Sequence, residues 1–141
     1  VLAKVELAGE RMYTAYDNAD QEDEQSCFSD NTRDDLINNF KGIMNVYYGK
    51  YIQLNGDTLA VPSMHELLLQ TNPELAAQTE VQLQNTAGLF AHIPQPFDRA
   101  IVLPDQREMV MQAILAVQES GEQFSRVAEA LGLTINVRAA E

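Results

Sequence analysis

The sequence predicts an all-α domain, an antiparallel bundle of about four long helices plus one short helix. Apolar residues recur at helical spacing in four separate stretches, each bounded by cap or stop signals. The stretches are joined by short connections, which favour antiparallel neighbours. Nothing repeats at a fixed period of about 20–50 residues, which argues against a solenoid. At 141 residues the chain fits one domain, spanning 1–141, large enough to bury a core without a staple.

The first helix is predicted over Val1 to Asn18, with Val1, Val5, Ala8, Met12, Ala15 and Ala19 as its apolar stripe. Glu6, Glu10, Tyr13 and Asp17 form a second row, with Arg11 beside it. That row reads either as a solvated face carrying an ion pair or as a carboxylate pair, Glu6 and Glu10, aimed into a cleft. From Asp17 to Asp35 the chain holds eight acidic residues and one base, Arg33, in its longest unpatterned polar stretch.

The second helix is predicted to start near Thr32, with Asp35 completing a capping box. Leu36, Ile37, Phe40, Ile43, Met44, Tyr47 and Tyr51 form its apolar face. Gly42 weakens a helix interior by about 1 kcal/mol relative to Ala, which predicts close packing there. Gly49 is the expected C-terminal cap. Asn55-Gly56-Asp57 marks a turn, and Tyr51–Leu54 with Thr58–Val61 fit a small hairpin. Ser63 and Glu66 form a capping box for a short helix, and Asn72-Pro73 opens the next. That helix uses Ala76, Leu83, Ala87 and Phe90, and Pro94 and Pro96 stop it. Asp105 is expected to cap the last helix, whose stripe is Val110, Ala113, Ile114, Val117, Phe124, Val127 and Leu131. Gly132 ends it, and Leu133 to Val137 form a short extended tail.

Composition bounds the function. Nine basic residues face 21 acidic ones, for a formal charge of −12. Nucleic acid binds through Lys and Arg, so this balance argues against it, and against an anionic membrane surface. Cations are the natural small partners of such a surface, although on charge alone solubility is the favoured explanation of the acidity. No apolar run approaches the roughly 20 residues of a transmembrane segment. The opening Val1-Leu2-Ala3-Lys4-Val5 carries no signal-peptide pattern and begins in helical periodicity, which suggests a fragment or a processed product.

Known site patterns fail on spacing. An EF-hand beginning at Asp20 needs Gly at its sixth position and Glu at its twelfth, where Gln25 and Asn31 stand. A di-iron bundle needs Glu-x-x-His pairs, and neither His65 nor His92 has a carboxylate three residues away. Both histidines read as helix-end or turn residues. Cys27 lacks a nearby base to lower its pKa and reads as a buried thiol beside Phe28. Ser26 and Ser29 have no His in the loop to activate them and read as backbone-bonding hydroxyls.

The run Ser26-Cys27-Phe28-Ser29-Asp30-Asn31-Thr32, then Asp35, Asn39, Gly42-Ile43 and Asn45-Val46-Tyr47-x-Gly49, resembles the imelysin family. Glu6-Leu7-Ala8-Gly9-Glu10-Arg11-Met12 and Pro96-Phe97-Asp98 extend the resemblance over nearly the whole chain. It implies an all-helical protein of two bundle-like halves, located in the periplasm or at the outer membrane as a lipoprotein and linked to iron uptake. The family is catalogued among metallopeptidases. This chain corresponds to the C-terminal half, and the family's Gly-x-His-x-x-Glu motif belongs to the other, which would be its partner within the same precursor. Relatives often carry His where this chain has Gln25 and Arg33.

The site residues implied by the resemblance are Glu10, Arg11, Glu24, Ser26, Phe28, Ser29, Asp30, Asn31 and Thr32, facing the other half across a cleft. The ligand expected there is a metal (iron or another divalent ion), a chelate or a peptide. Binding is favoured over hydrolysis, because a hydrolytic metal needs about three protein ligands and an open position. The remaining readings are a metallopeptidase whose metal ligands lie in the other half, and a purely structural half.

Overall fold

The computed structural model describes residues 1–134. The first helix, α1, has two parts: a wide π-wound segment, Leu2–Tyr13, and an α-helical end, Thr14–Asn18. Then come a 3₁₀ turn (Gln21–Asp23), α2 (Thr32–Tyr48), β1 (Lys50–Ile52), β2 (Thr58–Ala60) and α3 (Met64–Thr71). The chain continues with α4 (Pro73–Ala91), a single-turn α5 (Phe97–Ala100) and α6 (Pro104–Ala130). The all-α class holds, and the antiparallel β1–β2 hairpin is the one sheet among the described residues. The tail predicted from Leu133 to Val137 lies outside the described residues beyond Thr134.

The longest helix, α6, is the spine: α1 and α4 both lie along it, and α2 closes against α1 and α4. Leu7, Met12, Leu36, Phe40, Leu83, Phe90, Ile114 and Val117 meet in one buried core. Phe40 and Phe90 join α2 to α4 with ring centroids 5.3 Å apart, a separation at which aromatic pairs attract beyond their area burial. A polar seam runs between α4 and α6. Thr86 and Ser120 share a hydroxyl bond of 2.9 Å, and Gln123 Nε2 donates to Thr79 Oγ1 at 3.0 Å. Each of the three hydroxyls also returns to a carbonyl of its own helix, so these buried groups are satisfied.

Several expectations change. Part of the α1 stripe holds, with Ala15 buried on the α-helical end, and the π-winding shifts the rest: Val1 and Ala19 are exposed, while Ala3 and Leu7 join Ala8 and Met12 in the buried set. Those buried positions step by four and five residues, as a helix wider than 3.6 residues per turn requires. Gly42 is not closely packed, since a Cβ there would meet open space. The close approach is at Gly121, where a Cβ would lie 2.8 Å from Lys4 Cβ, so α1 rests on the α6 backbone. Tyr51 leaves the α2 face and sits exposed on β1. Helix α2 has Asn31, not Thr32, at its N-cap, and α6 starts from Leu103 with Pro104 first, which puts Asp105 inside the first turn. The caps at Ser63 with Glu66, at Asn72 with Pro73, and at Gly49 form as predicted.

Candidate functional site

The acidic loop leaves α1 through Ala19, in the left-handed region at φ 50°. Asp20 turns it by accepting from the Glu22 amide at 3.0 Å, an Asx-type cap of the 3₁₀ turn. Asn18 donates to Asp23 at 2.7 Å, fastening the turn back onto the helix. After the turn the loop is held to α2. The Ser26 amide donates to Thr32 Oγ1 at 3.1 Å, and the Ser26 hydroxyl donates to the Asp35 carboxylate. Asn31 Nδ2 donates to the other Asp35 oxygen at 3.1 Å, and Asn39 Nδ2 donates to Gln25 Oε1 at 3.1 Å. The Ser29 hydroxyl closes the inner turn onto the Ser26 carbonyl at 3.2 Å, and Asp30 takes a left-handed conformation at φ 56°. The loop is therefore a braced structure rather than a solvated tether.

Glu24 stands apart within it. It is only 4% exposed, and among the described residues neither carboxylate oxygen has a partner that meets full hydrogen-bond geometry. Burial pushes its carboxyl above the ordinary range. The Thr32 hydroxyl pulls the other way, and the charges of Asp98 and Asp30 add to the rise. Asp98 belongs to α5, and its Oδ1 is also buried without a partner among the described residues. No group of three or more His, Cys, Asp or Glu side chains placed to share a metal occurs among the described residues.

The structure brings Glu24, Ser26, Ser29, Asp30, Asn31 and Thr32 into one loop braced by Asp35. It leaves Phe28 fully exposed, so Cys27 is half-buried without Phe28 covering it as expected. Arg11 pairs with Glu6 at 3.7 Å on the α1 surface, which is the solvated ion-pair reading of that row, and Glu10 is exposed. Arg11 also lines a small cleft of about 50 Å³ with Leu7 and Asn39, and Asn39 links that cleft to Gln25 of the loop.

The two departures from the family pattern have structural uses. Gln25 accepts the Asn39 bond, and Arg33 reaches across to the end of α4. His65 packs edge-on against Tyr47 and Tyr48, and His92 bonds the Gly88 carbonyl of its own helix at 2.7 Å. Neither histidine joins the loop. Sequence reasoning left Asp35 and Asp98 out of the site. Asp35 carried a signal, standing next to Asn31 and Ser26 once a helix start is placed at Thr32. Asp98 carried none, because only the tertiary fold brings α5 to the loop.

Fold and loop together define a helical module that presents a carboxylate- and hydroxyl-rich loop from between its first two helices. The chain belongs to the imelysin family, whose sequence profile matches residues 3–124. It is similar to iron-regulated protein A of Synechococcus elongatus, at 27% identity over 121 residues. That alignment covers 86% of this chain and 33% of the relative, so the chain spans about a third of the length of the protein it matches. No described helix is long and apolar enough to cross a membrane.

Proposed function

We propose that this chain is an imelysin-type binding module serving iron uptake in the periplasm or at the outer membrane. It takes a metal, a chelate or a peptide at the junction with an N-terminal half of the same polypeptide. Glu10, Arg11, Glu24, Ser26, Phe28, Ser29, Asp30, Asn31 and Thr32 supply this chain's share of the junction. The observation that carries the reading is Glu24, a buried carboxylate beside the Thr32 hydroxyl with no ion-pair partner among the described residues, held at the base of a loop that hydrogen bonds have already ordered. Pre-ordered polar groups bind without the entropic cost of fixing a flexible segment. The relative's name supports the link to iron.

Binding is favoured over peptide hydrolysis. A hydrolytic metal needs about three protein ligands and an open position, and both histidines of this chain are engaged away from the loop. The test is calorimetry of the complete polypeptide with ferrous iron, ferric iron and a ferric chelate. Saturable binding that weakens in Glu24→Ala and Asp30→Ala is the expected result. Unchanged affinity in both variants sinks the reading. Chelator-sensitive cleavage of a peptide library would transfer the case to the metallopeptidase alternative. Loop variants that alter stability alone would leave a structural half.

A further inference from the structure

We propose that Asn55 is a site of self-modification, where the Gly56 amide nitrogen displaces the side-chain amide and leaves aspartate and isoaspartate at the tip of the β1–β2 hairpin. This goes beyond the iron-linked reading and does not rest on it, since the hairpin shares no residue with the acidic loop.

Asn55 and Gly56 are both exposed at the turn. Gly56 has φ +88°, and the space where a Cβ would stand is open. Its nitrogen is the atom that closes a five-membered ring on Asn55 Cγ. A side chain on that residue would crowd the ring, and the chain itself keeps nitrogen and carbon neighbours, so no second reactant has to be bound. Asn55 Oδ1 accepts the Asp57 amide at 3.0 Å, a donor placed where negative charge builds as Cγ is attacked. Asn55 Nδ2 donates to Asp57 Oδ2 at 2.8 Å. The Gly56 amide donates to the Gln53 carbonyl at 2.9 Å, so the turn must open before this nitrogen attacks. Opening costs little here. The two strands pair over Lys50–Ile52 and Thr58–Ala60, all of them exposed. A two-stranded hairpin is marginally stable alone, and lightly packed exposed segments open first. Every other asparagine of the chain precedes a residue with a side chain. Asn38, Asn39, Asn45 and Asn85 also lie inside α2 and α4, where the helix holds the following amide.

The reaction needs only water. The Gly56 nitrogen gives its proton to hydroxide and bonds to Asn55 Cγ. The Cγ–Nδ2 bond then breaks, and the nitrogen leaves as ammonia with a proton from water. The product is a cyclic imide, with nothing oxidised or reduced. A second water opens it at either carbonyl. Attack at Cγ restores the original backbone and leaves aspartate. Attack at the main-chain carbonyl carbon of Asn55 leaves isoaspartate, with the chain now running through Cγ. Both products carry a carboxylate that is ionised at neutral pH. The isoaspartate backbone is one carbon longer, and the Asn55 side-chain oxygen that accepted the Asp57 amide becomes part of the main chain. The turn closed by the Gln53 amide on the Asp57 carbonyl then loses the register that pairs Tyr51 with Leu59. The damage stays local, because residues 49–67 contribute nothing to the buried core.

The test is incubation of the folded 141-residue chain in buffer at neutral and at mildly alkaline pH. Peptide mapping by mass spectrometry reads the amide-to-acid change at each asparagine, and enzymatic methyl transfer detects isoaspartate. Asn55 should react before every other asparagine, yield both products, and react faster at the higher pH, because the attacking nitrogen must lose its proton. Gly56→Ala should slow the change by about tenfold or more, equivalent to about 1.4 kcal/mol of barrier. Asn55→Gln adds a methylene, takes the carbonyl carbon out of five-membered reach, and should leave no product at that position. In the isoaspartate fraction, hydrogen exchange of the β1 and β2 amides should quicken while the melting temperature of the bundle stays at the parent's. An Asn55 amide that outlasts the other asparagines overturns the proposal. So does a product that is aspartate alone, which reports direct hydrolysis without the ring, and so do equal rates in the parent and Gly56→Ala. A bundle that melts earlier once Asn55 has reacted overturns the confinement to the hairpin. Because the readout is the chain's own covalent structure, its failure leaves binding at the junction standing, and the reverse also holds.

Discussion

Arg33 on α2 donates its Nε to the Ile93 carbonyl at 2.8 Å, just past the end of α4. A second bond runs from its Nη2 to the Ala91 carbonyl at 2.7 Å. The last carbonyls of a helix have no partner within it, and a cation there also opposes the helix dipole. One side chain therefore caps α4 and ties the loop end of α2 to it. Arg33→Ala should lower unfolding free energy by about 1–3 kcal/mol, the cost of leaving partly buried acceptors without a charged donor. Urea melts should show a lower midpoint at unchanged slope. Arg33→His shortens the reach and should recover little of the loss. A midpoint equal to the parent's in both variants would show that water replaces the guanidinium freely.

Gly49 ends α2 at φ +60°, and a Cβ there would stand 2.4 Å from the Val61 carbonyl oxygen. The same residue accepts the Val61 amide at 2.9 Å, so the helix end and the hairpin share one tight junction. Gly49→Ala combines a left-handed conformation, costing about 1–2 kcal/mol in an L-residue, with a steric clash against backbone. A loss of stability larger than the conformational cost alone is expected by thermal or urea melting. The matched control is Gly42→Ala, which meets open space in mid-helix and should stabilise by about 0.5–1 kcal/mol.

Phe28 is fully exposed at the tip of the braced loop. Its removal should cost the folded chain almost nothing, within about 0.5 kcal/mol, as for surface positions that pack on nothing. Phe28→Ser should therefore melt with the parent. If Phe28 is part of the junction, the same change should weaken ligand binding by the complete polypeptide. A large drop in the stability of this chain would instead place the ring in a contact that its exposure excludes.

Local signals carried most of the fold. The Ser63–Glu66 box, the Asn72-Pro73 start and the Gly49 cap each depend on residues within a few positions, and each forms as its chemistry dictates. Misses came where distant parts of the chain decide. At Thr32 the hydroxyl accepts the Ser26 amide instead of capping its own helix, because the loop folds back over it. The α1 stripe held at Ala8, Met12 and Ala15 but missed Ala3 and Leu7 and wrongly took in Val1 and Ala19, because the backbone is π-wound against α6 rather than following a 3.6-residue period. In the site, the Ser26 to Thr32 run was legible through its resemblance to imelysins, and its polar pattern alone marked only an acidic loop. Asp98 was not legible as Glu24's neighbour, since the composition of a single helical turn gives no hint of which loop it will meet.

Tyr48 buries its hydroxyl without a partner among the described residues, and this makes the chain's alkaline behaviour predictable. Burial pushes its pKa up to about 12 from the ordinary 10.0, with the charges of Glu80 and Tyr47 adding to the rise. Tyr47 rises as well, chiefly through burial. The folded state thus keeps a proton that the unfolded chain releases. Unfolding takes up no proton below the ordinary value and releases one above it, so stability falls as pH rises from about 10 towards 12. Tyrosinate absorbance should show a late step that coincides with unfolding. Tyr48→Phe should shrink that late step and flatten the alkaline loss of stability. At neutral pH the variant should be as stable as the parent or more so, because it removes a buried hydroxyl that has no bond to lose. A clear loss at neutral pH would mean that an ordered water satisfies the Tyr48 hydroxyl, and the late titration step should then move back towards the ordinary range.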